Sequence, residues 1–169
     1  MPDKATMDRA ERDRRQGKAP TTQAGEFIRE EFHHIREGKH GARLPQQAIA
    51  IGLSKARRAG VRLRPPKKGR VSERTRKSAA RAFRAGQRRL KHKPSARRSR
   101  AIHRALEREG VHSASHRAIS RQSRRVARQR TAAERSRIGR KAAATKTPAQ
   151  RRASARKAAR TRARHAAGR

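Results

Sequence analysis

Ten of the nineteen Leu, Ile, Val and Phe residues in this chain lie between Phe27 and Leu63, and only nine are spread over the 106 residues that follow. That distribution limits the possible folds more than any motif does. Folding must offset about 1–2 kcal/mol of backbone entropy per residue, chiefly by burying apolar surface. These residues make up about 11% of the chain, below the ~20% under which a highly charged sequence is expected to lack a core of its own. One small packed module near the N-terminus follows from this, and a single large core does not.

Periodicity divides the chain into five parts. Residues 1–20 are polar and mixed in charge, a tail or a frayed helix. Residues 21–62 read as a helix pair. Thr22 is a candidate cap for a first helix ending near Glu37, with Gly38 as its stop, and Pro45 suits the first turn of a second helix that Gly60 ends. In the first of these, Ile28, Phe32 and Ile35 recur at i, i+4, i+7 with Phe27 beside them. In the second, Ala48, Ile49, Gly52, Leu53, Ala56 and Ala59 form a broad face of mostly small residues that permits close helix contact. Residues 63–70, with Pro65-Pro66, read as an extended basic linker.

Residues 71–143 carry three helical stretches, each with a basic row. The first row is Arg74, Lys77, Arg81, Arg84, Arg88 and Lys91, opposed by Phe83 and Leu90. Arg97, Arg100, Arg104 and Arg108 form the second, opposed by Ile102 and Leu106. Arg117, Arg121, Arg124 and Arg128 form the third, opposed by Ile119 and Val126. Together with Val111, these apolar residues are expected to build a thin bundle core between the helices. Thr131 with Glu134, and Thr147 with Gln150, have the spacing of capping boxes. The tail, 144–169, is rich in Ala, Arg and Lys and has no face to bury, so it is expected to be partly disordered alone and helical once neutralised.

Charge is segregated along the chain. Residues 1–37 hold eight acidic and eight basic residues, whereas residues 38–169 hold 43 basic residues against Glu73, Glu107, Glu109 and Glu134. The later part therefore carries the whole net charge of +39. A solvated helix face normally mixes signs and pairs them at i, i+4. The arginine rows have almost no acids to pair with, which points to a polyanion as partner. Arginine presents five donors in a planar fork that fits phosphate oxygens, and its charge is permanent at physiological pH.

Other chemistries are less well represented. There is no Trp or Tyr, and the three phenylalanines lie on apolar helical faces, so a base-stacking reader of single strands is not expected. Cysteine is absent, which excludes disulfides and thiolate metal sites. His112 and His116 are four apart but lack the intervening glutamate of a zincin. His33, His34 and His40 lie near Glu30, Glu31 and Glu37, and read as a polar helix edge. No metal, no cofactor and no catalysis are expected. Without an apolar span or a signal-like leader, the expected location is cytoplasmic.

The stretch GEFIREEFHHIREGKHGARLPQQAIAIGLSKARRAGVRL, residues 25–63, resembles a small family of uncharacterised bacterial proteins. The matching positions are Lys39-His40-Gly41, Gln47 to Ser54, and Ala56. Those proteins carry a Ser/Gly/Lys-rich connection before the QAIAI helix, where this chain has Leu44-Pro45. The resemblance implies a bacterial origin and assigns no activity. In composition alone, the tail is similar to those of linker histones and bacterial histone-like proteins.

The resulting expectation is an all-α chain: an N-terminal helix pair, arginine-striped amphipathic helices and a partly disordered basic tail. Its expected function is non-enzymatic, sequence-independent DNA binding in a nucleoid, with structured RNA or a ribosome as the rival partner. A third possibility is an assembly factor, for which the Phe27, Ile28, Phe32 and Ile35 face would dock a protein partner or a second copy.

Overall fold

Proline opens two of the helices on which the fold is built, because its fixed φ suits the first helical turn and its missing N–H is not needed there. The computed structural model describes residues 2–88 and 95–167 and is all-α, with no strand among the described residues. Its helices are α1 (Lys4–Arg15), α2 (Pro20–Arg36), α3 (Pro45–Arg58), α4 (Glu73–Gln87), α5 (Ala96–Glu107), α6 (His116–Arg128), α7 (Ala132–Ala144) and α8 (Pro148–Ala167). A short 3-10 helix, Val111–Ala114, lies between α5 and α6. The chain divides into two compact units, Met1–Gln122 and Ser123–Arg169.

The first unit is assembled around α2. Pro20, not Thr22, starts that helix, and α2 ends at Arg36, just before Gly38 takes a φ of 72°. Helix α1 runs antiparallel along α2, so of the two expectations for residues 1–20, a tail or a frayed helix, a helix is found, and it is docked. Thr6, Ala10 and Asp13 are buried, Arg9 Nε donates to Glu26 Oε2 at 2.6 Å, and the Asp3 amide donates to Glu30 Oε2 at 3.2 Å. Helix α3 packs antiparallel on the same helix, and α4 packs on α3. Among the described residues, eight of the twelve buried apolar residues are alanine. Two small clusters result. One joins Ala10, Ala24, Phe27, Ala56 and Val61, and the other joins Phe32, Ile35, Ala42, Ala48 and Ala114.

Such small side chains bury enough area only if the helix backbones come close, and glycine makes that possible at two crossings. A Cβ on Gly52 of α3 would lie 2.8 Å from Ile28 Cα of α2. A Cβ on Gly86 of α4 would meet the Arg57 carbonyl of α3 at 1.8 Å. Beside that second crossing, Gln87 Nε2 donates to the Gly60 carbonyl at 3.0 Å.

Two expectations are corrected here. The Phe27, Ile28, Phe32 and Ile35 face is not a free docking surface: Phe27 is 1% exposed, Ile35 is 0% exposed and Phe32 is buried. Ala10, Ala42, Ala48, Ala56 and Ala114 cover it, with Ile28 packed against the second cluster. Nor do the striped helices form a bundle core of their own. Ile102 is 55% exposed, Val111 is exposed, and Phe83, Leu106, Ile119 and Val126 are only partly covered. Leu90 lies outside the described residues.

The second unit holds the end of α6 with α7 and α8, and none of its described residues is buried. Both predicted capping boxes are formed. Thr131 and Glu134 exchange hydrogen bonds at 3.0 and 3.1 Å, and Thr147 and Gln150 at 3.0 and 3.3 Å. Where partial disorder is expected, residues 148–167 form one helix. Its Ala, Arg and Lys residues are strong helix formers, and Pro148 follows the Thr147 cap. No described helix is long and apolar enough to cross a membrane.

Gly52→Ala tests the dependence on close backbone approach. Alanine gains about 1 kcal/mol of helix propensity, but forcing a methyl against the Ile28 backbone costs about 1–3 kcal/mol. Urea unfolding followed by circular dichroism is expected to show a net loss of about 1 kcal/mol; an unchanged or higher midpoint would contradict this packing.

Candidate nucleic-acid interface

Helix α4 shows how the fold presents a basic row. Ser72 caps it by accepting a hydrogen bond from the Thr75 amide at 3.2 Å, and Glu73 in its first turn suits the positive end of the helix dipole. Ala79, Ala82 and Gly86 are buried against α3. At ~100° per residue, Arg74, Lys77, Arg81, Arg84 and Arg88 fall on the opposite side. All five are exposed. The buried face is thus made by small residues, not by Phe83 as the sequence pattern suggests. Lys91, the sixth expected member, lies outside the described residues.

Helix α5 carries Arg97, Arg100 and Arg104, with Arg108 as its C-cap, and helix α6 carries Arg117, Arg121, Arg124 and Arg128. All eight are exposed. Neither helix buries a residue of its own. The C-terminal end of α5 is held by the loop before α3, where the Gly41 amide donates to the Leu106 carbonyl at 2.9 Å. The start of α6 is anchored by Ile119 against the Phe32 cluster and by Gln46 Nε2 donating to Gln122 Oε1 at 2.7 Å. The three rows therefore sit on separately anchored helices.

None of these row residues is in an ion pair among the described residues. Three of the four acids of the basic region are engaged elsewhere: Glu73 receives both Arg76 Nε and Nη2, at 2.8 and 2.5 Å, Glu107 meets His103 Nδ1 at 2.9 Å, and Glu134 closes the Thr131 cap. The Arg76 hydrogen bonds hold the Glu73 carboxyl below its ordinary pKa. Helix α8 adds a helix with cations on every side and no acidic residue.

A second cluster, which the sequence reading took for a polar edge, is buried between α1, α2 and α3. Glu30 is 4% exposed and Glu31 is 0% exposed. Lys55 of α3 reaches both, at 3.0 Å from Glu30 Oε1 and in contact with Glu31 Oε1. Burial pulls the Lys55 pKa down, but hydrogen bonds to Glu31 and Glu30 more than offset this, so it ends above its ordinary value. His40 Nε2 lies 3.5 Å from Glu31 Oε2, and His34 Nε2 lies 3.1 Å from Asp3 Oδ2. The ligand atoms of Glu31, His34 and His40 are within 4.8 Å of one another, as are those of Asp3, Glu30 and His34. The signal was present in the sequence: at ~100° per residue, Glu31 falls inside the arc of Ala24, Phe27 and Ile35.

No family model, curated protein or solved structure matches the chain.

Since the α4 row has no partner to lose, Arg74→Ala, Arg81→Ala and Arg84→Ala together should not cost stability. The triple variant is expected to melt within about 0.5 kcal/mol of the parent, or slightly above it, as repulsion is relieved. Added salt should raise the melting temperature of the parent more than that of the variant. A marked loss of stability would show that these arginines hold the fold.

Proposed function

We propose that this chain is a non-enzymatic binder of duplex DNA that grips the phosphate backbone without reading its sequence. The observation that carries this reading is the α4 row: exposed cations with no carboxylate partner, on a helix whose far side is fixed by packing. A helix held in that way offers successive forks ~4.5–6 Å apart along its axis. Phosphates satisfy both the charge and the hydrogen-bonding geometry of such forks. Contacts of this kind fix position and affinity but carry no base information.

The rows of α5 and α6 extend the same chemistry, and α8 adds a helix whose self-repulsion phosphates would relieve. A charge of +39 would match roughly 65 Å of duplex at about one charge per 1.7 Å. Phe27 and Phe32 are buried and Phe83 is partly covered, so the chain offers no aromatic platform for unstacked bases. That favours a duplex over a single strand. The setting this implies is a bacterial nucleoid, where a backbone binder with separate basic rows would bridge or compact DNA.

Competition between duplex DNA and duplex RNA of the same sequence, across a salt series, tests the reading. Affinity for DNA should be indifferent to sequence, with log K falling steeply against log salt. Replacing Arg74, Arg81 and Arg84 by alanine should reduce that slope by about 2–3, at ~0.9 per phosphate contact. Preference for duplex RNA would overturn DNA as the partner. Weak binding to both, or a slope unmoved by the three substitutions, would overturn backbone binding itself.

A further inference from the structure

We propose that Glu31, His34 and His40, with Asp3 and Glu30 beside them, form a site for one divalent transition-metal ion of the zinc class. The proposal does not depend on nucleic-acid binding. Glu31 and His34 are three residues apart on α2, which places a carboxylate and an imidazole over one turn of the same face. Glu-x-x-His pairs on helices supply metal ligands in carboxylate-bridged helical bundles for that geometric reason. His40 comes from the loop after α2 and reaches the same point, and the ligand atoms of all three residues lie within 4.8 Å of one another. Ligands on a tetrahedral zinc at ~2.05 Å are roughly 3.3 Å apart, so modest side-chain rotations close the gap.

Two further observations point to a cation. His40 Nδ1 lies 3.1 Å from the Gly41 carbonyl oxygen. That oxygen can only accept, so Nδ1 carries a hydrogen and Nε2 is the ring atom turned toward Glu31. Nε2 lies 3.5 Å from Glu31 Oε2, close enough for one cation to take both atoms as ligands. A backbone carbonyl that fixes the tautomer of a histidine is also the usual outer support of a metal ligand. Glu31 itself has a side chain 1% exposed; Lys55 meets its Oε1, and its Oε2 has no hydrogen-bond partner among the described residues.

The charges lead to the same conclusion. Asp3, Glu30 and Glu31 present three negative charges, and Lys55 supplies one positive charge against them. Lys39, the next cation, is paired with Glu37 at 2.9 Å. Two of the three carboxylates are buried, where negative charge is costly unless cations meet it, and a divalent ion would join Lys55 in doing so. Two imidazoles with carboxylate oxygen select zinc and its late first-row neighbours over magnesium or calcium. An ion bound there would tie the start of α1, helix α2 and the loop before α3 together in a module whose core is mostly alanine.

The test uses the full-length chain, freed of nucleic acid and of metal, with Zn2+ titrated by calorimetry and Co2+ followed by visible absorption. One ion per chain is expected, with the Co2+ bands of an imidazole and carboxylate site. His34→Ala, His40→Ala and Glu31→Gln should each weaken Zn2+ binding at least about tenfold. Changing His112 and His116 to alanine should leave it unchanged. Lys55→Met guards against mere misfolding: it removes the competing internal cation, so it should bind Zn2+ more tightly and melt lower without Zn2+ but not with it. No saturable binding, binding that survives the loss of both His34 and His40, or binding lost with His112 and His116 would each overturn the proposal.

Discussion

Backbone contact between helices is the constraint on which the first unit depends. With alanine supplying most of the buried apolar residues, side-chain bulk cannot bridge helices at ordinary spacing, so α3 must lie against α2 at Gly52 and α4 against α3 at Gly86. Everything that follows uses that closeness. It brings Lys55 onto Glu30 and Glu31, and it fixes α4 so that its arginine row faces outward. A core of this kind relies on precise fit more than on transferred area, because each alanine buries little.

Segregation of charge is the second organising fact. Most of the acids are in the first 37 residues, where they join α1 to α2 through Arg9 and Glu26, and α2 to α3 through Lys55. Glu26, Glu30 and Glu31 are thus consumed in building the module. Farther along, Glu73 and Glu107 are taken by Arg76 and His103, and the rows on α4, α5 and α6 have nothing to neutralise them. An uncompensated row weakens its own helix through like-charge repulsion. Here that cost falls on helices anchored at a few points each, and phosphate binding would reverse its sign.

Much of this was legible in the sequence. Pro45, Gly38 and Gly60 bounded the helix pair, the arginine rows emerged at the expected helical period, and both capping boxes closed as their spacing suggested. Local signals of that sort need only neighbouring residues to act. What was not legible depended on distant partners. Helix α1 docks through Thr6, Ala10 and Asp13, none of which announces a buried face. The Phe27, Phe32 and Ile35 face reads as available in the sequence because its cover is mostly alanine, drawn from α1, the loop before α3, α3 and the 3-10 helix. Glu31 was read as an edge residue by its chemistry, although its angular position placed it inside the apolar arc. Small residues are weak sequence signals and strong structural ones in a fold assembled by close approach.

Backbone binding is read out by the arginine side-chain Nε–H resonances as duplex DNA is added to the labelled full-length protein. Phosphate contact shifts the signals of the side chains that make it. The largest shifts are expected at Arg74, Arg81, Arg84, Arg100, Arg104, Arg117 and Arg121, with Arg9 and Arg57 of the packed module unmoved. Shifts confined to the N-terminal module, or the same small shift at every exposed arginine, would contradict backbone binding by these rows.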